Sequence, residues 1–417
     1  MEYSESLGIS VDIGTTNITL HLVDMQSLQV LKEIHITNPQ REFGEEIISR
    51  MDLAKDHESA QKLTSVVRRS IDNAIQILTG DRIGSVTSIT IVGNTAMHHL
   101  FFDLPTDSLL KPPYEAENKD AILTNAIDVG LQLDAKVSCY SPPIIESYVG
   151  SDAIAMMITS GFPDSQENIV SVDVGTNTEI ALLVNGNMWV ASAASGPAFE
   201  GMSIQCGMPG DLGAIYSIEI QGLELQPMYR VIGDGKPSGL CGTGAVSAIA
   251  GMLDTGILLP RGSFDRTLTS PLLVLDSHIV HYILVPGHET ATGSSIVITQ
   301  PDVRMLQQSK AAIRGAFELL LDHAKVTSAD IEQLNLTGVF GSDLSLNDAV
   351  RIGLFPELPS AELRQIVGGA VKGADLLHRD SYRQIAEQIA AEVTHVNLTD
   401  NPDFKAKFAQ YLKFPSR

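Results

Sequence analysis

A chain of 417 residues has room for two domains, each with its own core, and 44% hydrophobic against 19% charged residues is the balance of a globular protein in water. Against 50 Asp and Glu stand 28 Lys and Arg, and the net charge of −22 repels nucleic acid and anionic membrane, excluding both as expected partners. No run reaches the ~18–20 apolar residues of a membrane span, and the acidic, polar start at residues 1–6 is not a signal peptide, so a cytoplasmic setting is expected.

The chain opens with an apolar strand carrying Asp12, a Gly14-Thr15-Thr16-Asn17 turn and a second alternating strand. The same pattern returns at residues 170–181 with Asp173, Gly175, Thr176 and Asn177. Glycine permits a tight turn with close backbone approach to a ligand, and Thr hydroxyls and free N–H groups there can hold phosphate oxygens. An Asp at the strand end is a hard oxygen ligand for Mg²⁺, directly or through water. Two copies would grip a nucleotide tail from both sides, which makes Asp12 and Asp173 candidate catalytic residues and Mg²⁺ ligands. A hairpin with an ordinary Asp turn is the plainer reading of one copy; its repetition at domain-scale spacing argues for the phosphate role.

Between the copies, residues 30–37 supply a third strand. Residues 45–53 and 59–78 carry helical periodicity, with Leu63, Val66, Val67, Ile71, Ile75 and Leu78 on one face. Residues 88–92 read as a buried strand running into Gly93-Asn94-Thr95, where Asn94 or Thr95 caps a helix that faces a cleft. His98 and His99 diverge by about 100° on that helix and have no third ligand near, so they are expected as core or surface histidines. A Pro-rich connection over 104–120 and a strand over 136–140 lead to residues 141–153, which begin an Ala- and Met-rich helix ending at Gly161.

After the second copy, Asn185-Gly186 marks a hairpin turn, and a strand over 189–194 enters Ser195-Gly196-Pro197-Ala198-Phe199-Glu200-Gly201. Gly242, Thr243 and Gly244 open an apolar helix and offer free amides to an anionic or polar ligand. A helix over 309–324, a strand over 334–340 and three helical stretches over 361–411 complete the chain. Cys139, Cys206 and Cys241 are widely separated, with no CxxC or ferredoxin-type spacing. They are expected as free thiols, and no iron–sulfur cluster is expected in this chain.

The paired hairpins resemble the phosphate-1 and phosphate-2 loops of the superfamily of acetate and sugar kinases, Hsp70 and actin. The run from Gly338 to Asp343 is similar to that superfamily's adenosine loop, which implies Gly338, Gly341 and Ser342 at the nucleoside. Residues 141–153 resemble its crossover between domains, which implies Glu146 as an acidic residue near the attacking water; a solvated helix-cap Glu is the alternative. The stretches VGNTAMHH (92–99), SGPAFEG (195–201), CGMPG (206–210), KPSGLCGTG (236–244) and LTGVFGSDLSLNDAVRIGLFP (336–356) resemble the ATPase domain of the reductive activators of corrinoid proteins, over essentially the whole chain.

That resemblance implies an α/β fold of two actin-like (ribonuclease H-like) domains with a nucleotide cleft between them. The first, at 1–160, carries phosphate-1; the second, at 161–340, carries phosphate-2 and the adenosine loop. Helices over 341–417 are expected to pack on the second domain and partly return to the first. It further implies an ATPase using ATP and Mg²⁺, and a corrinoid protein as partner whose cob(II)amide is returned to cob(I)amide in a methyltransferase system. A homodimer is implied too. Members usually carry a ferredoxin-like domain that delivers the electron, and none is read here, so a separate or removed ferredoxin-like donor is expected. Ser195 is expected to offer an oxygen toward the partner's cobalt; the alternative is a tight turn whose Ser caps a helix and whose Phe199 enters the core. A small-molecule kinase using Asp152 or Asp211, or a nucleotide-dependent scaffold, are the other functions considered. The 2-hydroxyacyl-CoA dehydratase activators are disfavoured because they hold a cluster with closely placed cysteines.

Overall fold

Leu7–Ile13 (β1), Asn17–Asp24 (β2) and Val30–Thr37 (β3) form an antiparallel meander in the computed structural model of the chain, which describes residues 6–44, 47–112, 114–222, 224–275, 279–338, 340 and 344–416. Val86–Gly93 (β4) runs parallel to β1 and to Ser138–Ser141 (β6), while Ile122–Asn125 (β5) closes the edge antiparallel to β6. The order is β3-β2-β1-β4-β6-β5. These elements belong to the first of two units, Met1–Gln166 with Leu183–Val190 and Gly368–His395.

Strand alternation decides how this sheet is covered. Leu7, Ile9, Val11 and Ile13 are at most 1% exposed and share a core with Leu63, Val67, Ile71 and Leu78 of His57–Thr79 (α2), the helix that follows the short Ile47–Leu53 (α1). The opposite face is polar yet also buried. His378 reaches Ser10 Oγ through Nε2 at 3.2 Å and Ser88 Oγ through Nδ1 at 2.9 Å. A Cβ on Gly8 would come within 2.9 Å of that ring, so only glycine admits it. Burial, with Arg383 and Arg379 nearby, draws His378 down to about 3, and the imidazole is neutral. Thr95–Phe102 (α3) starts on Asn94, whose side chain accepts from Met97 N, and Ser151–Thr159 (α4) starts on Gly150. His98 and His99 are 3% and 1% exposed, and burial brings His98 down to about 3.

The second unit comprises Glu167–Leu182, Ala191–Val367 and Val396–Arg417. Ile169–Val174 (β7), Thr178–Val184 (β8) and Asn187–Ala193 (β9) follow one another, and Asn185 and Gly186 have φ of 47° and 78°, the two-residue turn expected from their identity. The end of that hairpin, Leu183–Val190, groups with the first unit, where Thr394 and His395 pair with Trp189 and Val190. Two three-stranded sheets follow. One orders Gln226–Val231 (β11), Ala214–Gln221 (β10) and Gly239–Leu240 (β12); the other runs Leu273–Leu275 (β13), Val280–Val285 (β14), Ile296–Thr299 (β15). Gln333–Gly338 (β16) lies parallel to β7 and to Glu362–Gln365 (β17).

Gly242–Asp254 (α5) packs on β10. Gln300–Ala324 (α6) begins well before the expected start at Ser309: Thr299 and Asp302 form a capping box with Pro301 in the first turn. Polar residues buried along its first half hid the apolar stripe. Gln307 and Lys310 are 4% and 1% exposed because they hold the chain's end, Gln307 Nε2 donating to Leu412 O at 2.8 Å and Lys310 Nζ to Lys413 O at 2.7 Å. No helix among the described residues is long and apolar enough to cross a membrane.

Candidate functional site

In the first unit, β1 delivers half-buried Asp12 to its end and the chain reverses through Gly14-Thr15-Thr16-Asn17 into β2. A Cβ on Gly14 would lie 2.6 Å from Asn17 O, so the reversal needs glycine. Three consecutive carbonyls of the turn are held from behind. Asn38 Nδ2 donates to Gly14 O at 2.8 Å, Arg50 Nη1 to Thr15 O at 2.7 Å, and Asn38 N to Thr16 O at 2.8 Å. Because C=O and N–H of a trans peptide point oppositely, the amides of Thr15, Thr16 and Asn17 face the other way. Arg50 is 0% exposed; burial, then the Arg41 charge, brings its guanidinium to about 10, so it remains charged behind the turn at neutral pH. A turn with outward amides and a buried cation behind it suits an anion.

Glu146 connects to this turn through two hydrogen bonds and one peptide link. Asn94 Nδ2 donates to Thr15 Oγ1 at 3.2 Å, and the adjacent Thr95 Oγ1 donates to Glu146 O at 2.8 Å. Close backbone contact fixes the arrangement, since a Cβ on Gly150 would fall 2.2 Å from Gly93 O and 2.5 Å from Asn94 Cα. Glu146 is not a helix cap: α4 is capped by Gly150, and the Glu146 carboxylate pairs with Lys119 Nζ at 2.5 Å.

The second unit repeats the turn with different anchors. Ser195 Oγ donates to Gly175 O at 3.1 Å and shares a hydrogen bond with Thr178 Oγ1 at 2.7 Å; Gly196 N donates to Thr176 O at 2.9 Å. The carbonyls of Gly175 and Thr176 are again held inward, so the amides of Thr176 and Asn177 face outward. Thr176 Oγ1 donates to Glu200 Oε1 at 2.5 Å. Burial pushes the half-buried Asp173 carboxyl up to about 6. Against it packs Gly338 at φ 66°, where a Cβ would lie 2.3 Å from both Asp173 Oδ1 and Val174 O. This glycine therefore serves the carboxylate's seat as well as any nucleoside.

Two expectations change with this geometry. Ser195 is 4% exposed and bound within the hairpin, while Phe199 is 1% exposed against Phe340, ring centroids 5.3 Å apart. Its hydroxyl supports the Gly175 turn and is not on the surface to meet a partner's metal; the cap of the following short helix is Gly196. Gly242 and Gly244 are buried, and a Cβ on them would come within 1.9 Å of Phe199 O and 2.1 Å of Ile215 O, so close backbone packing accounts for both. Thr243 Oγ1 lies 3.2 Å from Cys241 Sγ. Gly341 and Ser342 lie outside the described residues. Asp152 sits in the first turn of α4 with Oδ1 accepting from Ala153 N, and Asp211 is exposed in a loop. Sequence reasoning missed Asn38, Arg50 and Glu200 as anchors. The Asn38-Pro39 dipeptide is a turn signal that could have found the first; nothing local marks Arg50.

No group of three or more His, Cys, Asp or Glu among the described residues could enclose a metal ion. Mg²⁺ does not need such a cage, since it keeps water and uses one or two carboxylates with substrate phosphates. The raised Asp173 carboxyl fits that role: its charge is disfavoured where it stands and a nearby cation would restore it.

Residues 7–165 match the family described as "RACo middle region", and residues 167–417 that described as "C-terminal domain of RACo the ASKHA domain". Among curated proteins, a corrinoid activation enzyme, RamQ, from Eubacterium limosum is 32% identical over 98% of this chain and 70% of its own length. A [Co(II) methylated amine-specific corrinoid protein] reductase from Methanosarcina barkeri is 27% identical over 84% and 66%. The solved structure of a reductive activator for corrinoid, iron–sulfur protein superposes with a TM-score of 0.90 at 27% identity, covering 100% of this chain and 67% of that one. The chain thus spans about two thirds of the length of these relatives.

Proposed function

The chain belongs to the RACo family, and on that premise we propose that it is an ATP-dependent reductive activator of a corrinoid protein, returning cob(II)amide to cob(I)amide in a methyltransferase system. The observation that carries the ATP half is the repeated turn whose carbonyls are tied back, by Asn38 and Arg50 in one unit and by Ser195 and Gly196 in the other. The freed amides take phosphate oxygens of ATP. Asp12 and Asp173 hold Mg²⁺, directly or through water, and the ion when bound neutralises charge on the phosphates. Glu146 orients the attacking water.

Each ~59 mV of unfavourable potential costs a factor of ten in a one-electron equilibrium. Positioning alone cannot remove that cost; only a difference in affinity between the Co(II) and Co(I) states shifts the population. Preferential binding of the Co(II) partner serves recognition and by itself opposes reduction, so the protein also changes the cobalt's axial ligation to make the bound Co(II) easier to reduce, and nucleotide turnover releases the reduced product. A ferredoxin-like donor supplies the electron, and the activator works as a homodimer in the cytoplasm.

The test is ATP hydrolysis by the chain with and without a Co(II) corrinoid protein, read beside cob(I)amide formation with a supplied reductant. Hydrolysis should rise with the corrinoid protein. Asp12→Asn and Asp173→Asn should each lower it by at least about tenfold, ~1.4 kcal/mol of barrier. Near-normal hydrolysis in both variants would remove the reading, and a phosphorylated small molecule as product would replace it with a kinase.

A further inference from the structure

The Glu146 carboxylate is held by one oxygen only. Its backbone sits in a turn closed by Glu146 N donating to Val149 O at 3.1 Å and Val149 N to Glu146 O at 2.9 Å. Oε2 accepts from Lys119 Nζ at 2.5 Å, whereas Oε1 is buried and accepts no hydrogen bond among the described residues. Lys119 is itself fixed, its carbonyl accepting from Ile144 N at 3.1 Å. His395 lies close enough to feel both charges; burial foremost, with Lys119 acting in the same direction and Glu146 against it, lowers its pKa and leaves the ring neutral.

We propose that Lys119 is a positioning residue for ATP hydrolysis: by taking Oε2 it fixes the carboxylate plane and leaves Oε1 as the acceptor for the attacking water. The proposal rests on the hydrolytic reading of Glu146. In the step, the water oxygen bonds to the γ-phosphorus as the bond from that phosphorus to the bridging oxygen breaks. ADP leaves with the electron pair, and the water's proton is taken on Oε1 before release with phosphate. Lys119 gives no proton; it holds a buried acceptor that would otherwise rotate or fold back. The lysine and glutamate side chains are 39% and 22% exposed, and an ion pair this accessible contributes little to folding. Its effect should therefore appear in the rate and not in stability.

Single-turnover hydrolysis and affinity for a fluorescent ATP analogue, measured on the full chain, test this with Lys119→Met, Lys119→Arg, Glu146→Gln and the Lys119→Met/Glu146→Gln pair. Lys119→Met should slow hydrolysis by at least about fivefold with affinity within about threefold, and Lys119→Arg should recover most of the rate. In the Glu146→Gln background, Lys119→Met should add no further loss, because the lysine acts through that carboxylate. A parent-like rate for Lys119→Met beside a slow Glu146→Gln overturns the role of Lys119 alone, as does an equal loss in both backgrounds. A parent-like rate for Glu146→Gln overturns the hydrolytic reading of Glu146 beneath it.

Discussion

Asp173 should make the nucleotide-free protein less stable than it need be. Its carboxyl is raised from 3.8 to about 6 by burial, roughly two units at ~1.4 kcal/mol each, or about 2–3 kcal/mol against the ionised folded state. A raised carboxyl means that the folded chain binds the proton more tightly. The penalty is absent below about pH 4, grows as pH rises toward 6 and is complete above it. Asp173→Asn removes the charge while keeping the shape of the side chain against Gly338. Parent and variant should therefore unfold alike near pH 4, and above pH 6 the variant should be more stable by about 2–3 kcal/mol, or roughly 4–10 °C for a unit of this size. Urea and thermal unfolding at several pH values, without Mg²⁺ and nucleotide, read the offset. Adding Mg²⁺ and ATP should raise the parent's midpoint more than the variant's, because the cation discharges the parent's penalty. A variant no more stable at pH 7.5, or an offset that does not change with pH, would refute the reasoning.

Two further substitutions probe the same turn. Gly338→Ala places a Cβ 2.3 Å from Asp173 Oδ1 at positive φ, so it should destabilise the second unit by at least about 2 kcal/mol and abolish hydrolysis; unchanged melting and turnover would show that Asp173 does not depend on this contact. Ser195→Ala strips the donor from Gly175 O and should cost about 1–3 kcal/mol with several-fold weaker nucleotide affinity. Intact basal hydrolysis with cob(I)amide formation lost would instead restore a direct role toward the corrinoid partner.

The two turns were readable from sequence because everything that defines them is local: an apolar strand, an Asp, a Gly and a Thr within a few residues. What aims them was not readable, since the anchors come from elsewhere. Asn38 and Arg50 stand 24 and 35 residues beyond the carbonyls they hold, and an isolated arginine in a short helix looks like a surface residue. The same blindness affected Lys310 and Gln307, whose burial depends on a chain end about a hundred residues later. Gly242 and Gly244 are a different case. A glycine that admits a ligand and one that admits another backbone are identical in sequence, and only the positions of Phe199 and Ile215 tell them apart.

His378 behind β1 carries a consequence for how the protein is made. Ser10 and Ser88 find their buried partner 368 and 290 positions later in the chain. At synthesis rates of ~5–20 residues per second that interval is roughly 20–70 s. Throughout it, the polar face of the first sheet has neither His378 nor the helix Gly369–Leu376 over it. The second unit likewise waits for the residues that Lys310 and Gln307 grasp. Synthesis must therefore pass His378 before the first unit closes and Lys413 before the second does, and during that time the nascent chain is a natural client for chaperones.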